Sequence, residues 1–228
     1  STQAHTLFPY TTLFRSPGQR GPAVTSWVLA AFAGLGTGLS LIVAIGAQNA
    51  YALRQGLRRE HVGIVVAICA LSDATLIVAG VSGIGVIVER APWAITVIRY
   101  GGAAFLLAYG LMAARRALRA DRLAADVSGG GTPWGRVVAT TLALTWLNPH
   151  VYLDTVLLLG SIANARPGEE RWVFAAGAAL ASLLWFGGLG YGARLLSGVF
   201  ARPRSWQILD VGIAIVMITL GVSLVVEH

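Results

Sequence analysis

Charged residues are scarce in this chain, and lysine is missing altogether. Of its 228 residues, 12% are charged and 56% are hydrophobic, with a mean hydropathy of +0.69. A soluble domain carries about 25% charged residues, so the composition predicts an integral membrane protein. All 17 basic residues are arginine. Without a Walker lysine, ATP-driven transport by this subunit alone is excluded.

Cysteine is almost absent as well, because Cys69 is the only one. An intrachain disulfide and a cysteine metal cluster are therefore excluded. There is no HExxH motif and no recognisable Ser/His/Asp set, and the glycine-rich runs lie inside apolar stretches, where they favour helix packing over nucleotide binding. We predict a protein that is not an enzyme and that has no cofactor and no resident metal.

Six apolar stretches are long enough to cross a bilayer, which takes about 20 residues. Two halves of three stretches each, residues 27–114 and 137–226, align weakly and place Arg99 over Asp210. An odd number of spans per half makes such a repeat inverted across the membrane. The predicted fold is an all-α integral membrane protein with six transmembrane helices in two inverted three-helix repeats, at residues 27–53, 62–88, 93–114, 137–163, 172–199 and 206–226.

The arginines are distributed unevenly among the predicted loops. The loops after stretches one, three and five contain eleven, and the loops after stretches two and four contain three. The arginine-rich side is expected in the cytoplasm, so the net charge of +7 is interpreted as a topology signal and no nucleic-acid partner is predicted. Both termini would then lie outside. If one stretch is re-entrant, the termini lie on opposite sides, so five and six spans both stay open.

The first residues do not resemble the rest of the chain. Residues 6–16, TLFPYTTLFRS, look like the translation of a sequencing-library adapter, and they lack the basic start and apolar core of a signal peptide. We expect residues 1–25 to be a non-native leader and residues 26–228 to form the transmembrane domain.

Two of the apolar stretches are interrupted by polar residues near their centres. Interrupted spans at matching places in two halves are typical of a transporter binding site. Because Pro149 has no N–H and clashes with the preceding turn, a helix break is expected there, and Gly46 favours a second break. The residues that we predict to bind substrate or couple protons at these breaks are Gln48, Asn49, Asn148, Pro149 and His150. For His150, a purely structural role stays open.

Acidic residues inside the predicted spans are the other candidates. An intramembrane carboxylate is costly and is functional by default, so we expect Asp73 to bind a cationic substrate or to accept a proton. A structural role for Asp73, or pairing with Arg99, is the alternative. Asp154 either joins Asp73 at the repeat interface, meets a cation there, or is solvated near the membrane edge. Asp210 is predicted to form a structural ion pair with Arg99.

Several stretches resemble one known family when they are taken in order. They are IGAQNAYALRQGLRREHV, ALSDATLIVAGVSGIG, RYGGAAFLLAYGLMAARRA, LTWLNPHVYLDTVLLLGSIA and RWVFAAGAALASLLWFGGLG. The chain resembles the LysE/ArgO family of bacterial basic amino acid exporters over about residues 30–226. The family pattern has Gly-Pro-Gln-Asn in the first span, whereas Ala47 replaces the proline here. The resemblance also implies that Asp73 and Asp154 matter, since they fall on the family's acidic positions.

The resemblance implies efflux of L-arginine or L-lysine across the bacterial plasma (inner) membrane, with a basic amino acid, protons and the lipid bilayer as partners. Homo-oligomerisation stays open. Because the bacterial interior is negative, export of a cation must be coupled, most simply to inward proton movement. The alternatives are an exporter of neutral amino acids or of a metal cation, a non-transporting membrane assembly protein, and a membrane-embedded enzyme.

Overall fold

A computed structural model describes residues 23–43, 46–83, 92–118, 132–196, 198, 200 and 203–226 of the chain. These residues are helical or lie in turns, and none of them is in a β-strand. The helices are α1 (Ala23–Ile42), α2 (Ala47–Arg58), α3 (Val62–Val81), α4 (Pro92–Ala117), α5 (Trp134–Trp146), α6 (Pro149–Val151), a π-helix (Tyr152–Leu159), α7 (Gly160–Asn164), α8 (Glu170–Gly192), a 3-10 turn (Ala193–Leu196) and α9 (Pro203–Val226).

Five of these segments are long and apolar enough to cross a membrane. They are Thr25–Ile42, Val62–Val81, Thr96–Ala117, Glu170–Leu196 and Arg204–Val226. The described residues are therefore all-helical, and five of their segments suit a multi-pass membrane protein, in agreement with the prediction. The predicted leader lies outside the described residues up to residue 22, and α1 already begins at Ala23. The predicted end of the second span, residues 84–88, also lies outside them.

The first interrupted stretch consists of α1 and α2, which both run beside α8 in the same direction. Gly34 packs so closely on the Phe174 carbonyl that a Cβ would not fit, and Asn49 and Gly56 meet α8 further along, near residues 185 and 190. The chain leaves the helix after Ile42 and re-enters it at Ala47. The break is present although Ala47 stands in place of the family proline.

The second interrupted stretch, α5 to α7, runs beside α3 in a similar way. Trp146 at the end of α5 contacts Ser72, and the π-helix backbone at Val156 lies so near Gly80 that a Cβ there would be 2.7 Å from its carbonyl oxygen. Pro149 is the first residue of α6. A proline at this position loses no helical hydrogen bond. The helix is therefore interrupted immediately before Pro149, where the sequence predicted a break, and the proline begins the second half-helix.

α4 and α9 form an antiparallel pair that packs through small residues. Gly110 of α4 contacts Ile218 of α9, and Gly221 of α9 contacts Leu107 of α4. This pairing contradicts the predicted Arg99–Asp210 ion pair. Arg99 donates from Nε to the carbonyl of Leu224, at the opposite end of α9 from Asp210. Both residues stand at the same distance from the start of their helix, and equivalent positions of antiparallel helices lie at opposite ends.

Candidate functional site

A polar cavity of about 260 Å³ lies where the two interrupted stretches meet α3, α8 and α9. Its size suits a small ligand, because pockets for larger molecules span about 300–1,000 Å³. Seven of the predicted site residues line the cavity. Arg99, Asp210 and the buried Pro149 do not. The cavity is lined by Gly46 at the first helix break and by the polar residues Gln48, Asn49, Asp73, Asn148, His150, Asp154 and Thr155.

Asp73 of α3 is the most buried charged residue of this lining, at 7% exposure. Its Oδ2 accepts a hydrogen bond from the Ser182 hydroxyl of α8 at 2.6 Å. No arginine of the described residues lies within ion-pair distance of Asp73 or of Asp154. The cavity thus has two carboxylates and no protein guanidinium to neutralise them.

The N-terminus of α2 forms one wall of the cavity. Gly46 is the N-cap in an extended conformation and has no side chain that could accept from the first amides of the helix. An uncapped helix N-terminus carries a partial positive charge and favours anions. The side-chain Nε2 of Gln48 is buried there with no acceptor among the described residues. This wall is therefore complementary to a carboxylate, whereas the acidic side chains of the lining are complementary to cations.

The opposite wall comes from the second interrupted stretch. The Asn148 side chain caps α6 by accepting from the His150 amide at 3.1 Å. Asp154 lies in the eight-residue π-helix, a rare form that is frequent at functional sites. Because this helix is wider than an α-helix, it changes which side chains share a face, and the cavity is lined by both Asp154 and Thr155.

Side chains from the second half-helices close both breaks. Asn49 donates from Nδ2 to the Ile42 carbonyl at 2.7 Å and accepts from the Trp185 indole at 3.2 Å. Tyr152 donates to the Trp146 carbonyl at 2.9 Å. The last carbonyls of a helix lack partners within it, so these bonds satisfy them. Asn49, which was predicted to bind substrate, lines the cavity and also connects the two sides of the break through its side chain.

A larger cavity of about 590 Å³ lies between α2, α8 and α9. Its lining is almost wholly apolar and contains no charged residue, with Asn49 as the wall that it shares with the polar cavity. It offers no group that would orient a charged molecule, so the smaller polar cavity is the candidate site.

Comparison with known proteins identifies the family. The family described as LysE type translocator matches residues 39–228. This chain belongs to the LysE translocator family. It is therefore a transporter and not an enzyme, as the sequence predicted. No solved structure matches the chain.

Three relatives illustrate the similarity within the LysE family. A provisionally named amino-acid transporter of Mycobacterium bovis is 49% identical over 82% of this chain and 92% of its own length. The lysine exporter LysE of Corynebacterium efficiens is 40% identical over 84% and 96%. The arginine exporter ArgO of Salmonella schwarzengrund is 38% identical over 86% and 93%.

The sequence did not predict the side chains that contact Asp73 and Asp210. Ser182 carries no distinguishing motif, and only the crossing of α3 and α8 brings it to Asp73. Arg54 was counted as a loop arginine, but it lies in α2, is 6% exposed and pairs with Asp210. One signal was available: Arg54 follows Ala47 and Tyr51 at helical spacing, which places all three on one face.

Proposed function

We propose that this LysE-family protein is a secondary-active exporter of basic amino acids, L-arginine and also L-lysine, in the bacterial plasma membrane. The observation that carries the proposal is the pair of cavity carboxylates, Asp73 and Asp154, which no arginine in the described part of the chain neutralises. The names of the relatives from Corynebacterium and Salmonella, a lysine exporter and an arginine exporter, support the same substrate class.

The cavity walls match the charges of a basic amino acid. Such a molecule carries an ammonium group, a carboxylate and a second cation on its side chain. Asp73 and Asp154 would hold the two cations, while the uncapped N-terminus of α2 and the Gln48 amide would hold the carboxylate. A neutral amino acid would leave one carboxylate without a cation, which is costly in a buried site.

Export of a cation from a negative interior needs an energy source. Moving one positive charge outward against the membrane potential costs about 2.3 kcal/mol per 100 mV. Inward movement of a proton offsets this cost. Asp73 is the residue that we assign to this coupling, because a carboxylate that alternates between a proton and a substrate cation cannot hold both at once.

We further propose six spans in two inverted repeats, with the arginine-rich loops in the cytoplasm. Reciprocal contacts support the repeat: the first broken stretch packs on α8 as the second packs on α3, and Gly110 and Gly221 exchange equivalent contacts between α4 and α9. The stretch from α5 to α7 is then the fourth span along the chain. It is not among the five long apolar helices because its break divides it into shorter helices.

The test is counterflow of radiolabelled L-arginine into proteoliposomes that contain the full chain. Lysine, threonine and cadmium serve as competitors. We expect saturable exchange that lysine inhibits and that threonine and cadmium leave unchanged. The absence of arginine exchange by the folded protein would contradict the proposal, and labelled threonine or cadmium would then test the neutral amino acid and metal alternatives. An inward proton gradient should accelerate arginine efflux, and the absence of any acceleration would remove proton coupling.

A further inference from the structure

A second group of charged residues lies beyond the cavity along α2. We call it the Asp210 cluster, and it consists of Asp210 in α9, Arg54 in α2 and Arg116 in α4. Asp210 is 0% exposed, and its Oδ1 accepts from Arg54 Nη1 and, at 3.3 Å, from Arg116 Nη2. Arg54 follows cavity residue Asn49 by five residues, a rise of about 7.5 Å along the helix. One short helix therefore connects the cluster to the cavity wall.

The cluster is incompletely satisfied. Two of its buried side-chain atoms, Oδ2 of Asp210 and Nε of Arg116, have no hydrogen-bond partner among the described residues, and neither does Oε1 of Gln55 beside it. Buried polar atoms nearly always have a partner. A set of charges that served only to hold the helices together would gain stability by completing these bonds. An arrangement that must also come apart has no such requirement.

α2, with 12 residues, is the shortest of the three helices that form the cluster. It is bounded by the break before Ala47 at one end and, at the other, by Arg59 (φ 56°) and His61 (φ 51°), both in the left-handed region. Non-glycine residues rarely adopt this conformation. α4 and α9, by contrast, are long helices that pack on each other along their length through Gly110 and Gly221. The break and the left-handed turn separate α2 from the helices before and after it.

Two tyrosine side chains pack beside the cluster. Tyr51 of α2 meets Tyr109 of α4 edge to face at 6.1 Å, and Gln55 donates to the Tyr51 hydroxyl at 2.8 Å. The Arg116 guanidinium lies 5.7 Å from the Tyr109 ring centroid. Tyr51 and Arg54, three residues apart on α2, therefore link the same face of this helix to α4 and α9.

We propose that Arg54, Asp210 and Arg116 form the cytoplasmic gate of the transport path, a role that rests on the proposed function. With Arg54 on Asp210, α2 is held against α4 and α9 and the path is closed. When α2 swings away, Asp210 keeps only Arg116 as its partner and the path opens to the cytoplasm. Arg54 and Asp210 are thus positioning residues for transport, outside the cavity itself.

The experiment bridges α2 to α9 reversibly. In a Cys69→Ala background, which has no other thiol, Arg54→Cys and Asp210→Cys are joined by a reducible bifunctional methanethiosulfonate reagent. Removing both partners leaves no buried carboxylate unpaired. The control joins Ala117→Cys to Gln207→Cys, which links α4 to α9 near the cluster where Gln207 donates to the Ala117 carbonyl at 3.3 Å. Both proteins are assayed for counterflow before bridging, after bridging and after reduction.

We expect bridging of the α2–α9 pair to lower exchange at least tenfold and reduction to restore it, while the control pair keeps its own rate throughout. Equal exchange before and after α2–α9 bridging would overturn the gate. As a second readout, a membrane-impermeant maleimide should label the α2–α9 cysteines faster during transport than at rest, and equal rates would also overturn the proposal. The substrate can fail separately: if the wild type exchanges another solute and not arginine, the same ratios are measured with that solute.

Discussion

Asp73 and Asp210 are both aspartates buried in long apolar helices, but their surroundings differ. Asp210 is enclosed by two arginines from other helices. Asp73 faces the polar cavity and has the Ser182 hydroxyl as its hydrogen-bond donor. A carboxylate that is neutralised by arginines of the protein stabilises one arrangement of the helices. A carboxylate that has no such arginine is available to a cation that binds and leaves. The neighbouring side chains, and not the residue type, therefore distinguish the two aspartates.

The largest effect should follow from removing the charge of Asp210. Asp210→Asn leaves Arg54 buried and unpaired, which should lower the free energy of unfolding by about 3–5 kcal/mol. Thermal denaturation of the purified protein in detergent measures this. The double variant with Arg54→Gln removes both charges and should recover most of the loss. A single variant as stable as the wild type would contradict the comparison.

Removing the charge of Asp73 should affect transport far more than stability. Asp73→Asn keeps the shape and a hydrogen bond to Ser182, but it can neither neutralise a cation nor carry a proton. Arginine counterflow should fall by at least about a hundredfold, or about 2.7 kcal/mol, with little change in Tm. Glu169→Gln, an exposed carboxylate away from the cavity, is the control and should retain full exchange. Normal flux in Asp73→Asn would remove this residue from the mechanism.

The cavity wall can be loosened without changing any charge. Asn49→Ala leaves the Ile42 carbonyl and the Trp185 indole without their bonds, and unpaired buried groups cost about 1–3 kcal/mol each. We expect a lower Tm together with about tenfold slower exchange, measured on one preparation. The matched control is Asn164→Ala, which removes a side-chain bond of 3.2 Å to the Gly80 carbonyl outside the cavity. Equal effects of both variants would show that Asn49 has no particular role at the break.

The smallest effect concerns Glu60, a carboxylate outside the spans. Burial raises its pKa, but hydrogen bonds from Thr132 and Arg58 outweigh this, and the net pKa lies below the usual range. A lowered pKa in the folded state means that Glu60 stabilises the fold at neutral pH and that this contribution is lost as the pH falls through the lowered value.

Glu60→Gln should therefore reduce stability at neutral pH by less than about 1 kcal/mol, because partly exposed pairs are screened by solvent. The difference in Tm between variant and wild type should shrink as the solution is acidified. A difference that grows on acidification would reverse the assigned sign.

Much of the site could be predicted because polar residues inside apolar stretches are conspicuous. The interruptions at Gly46 and at Asn148 coincide with the N-caps of α2 and α6, and Asp73 was identified from its isolation among apolar residues. Ion-pair partners could not be found in this way. The weak repeat suggested Arg99 for Asp210, yet repeat-equivalent positions in antiparallel helices lie at opposite ends, and the sequence contains no measure of that distance.

The sequence by itself determined that the chain is a membrane protein, where its helices are interrupted, and which family it resembles, because hydropathy, proline and glycine act locally along the chain. The tertiary structure alone decided that seven distant residues line one cavity, that Ser182 reaches Asp73, and that Arg54 turns from a presumed loop position to a buried partner of Asp210. These outcomes depend on how the helices cross. The crossing geometry follows from many contacts along each pair of helices, including the close approach of Gly34 to α8 and of Gly110 to α9. No short stretch of sequence specifies this geometry.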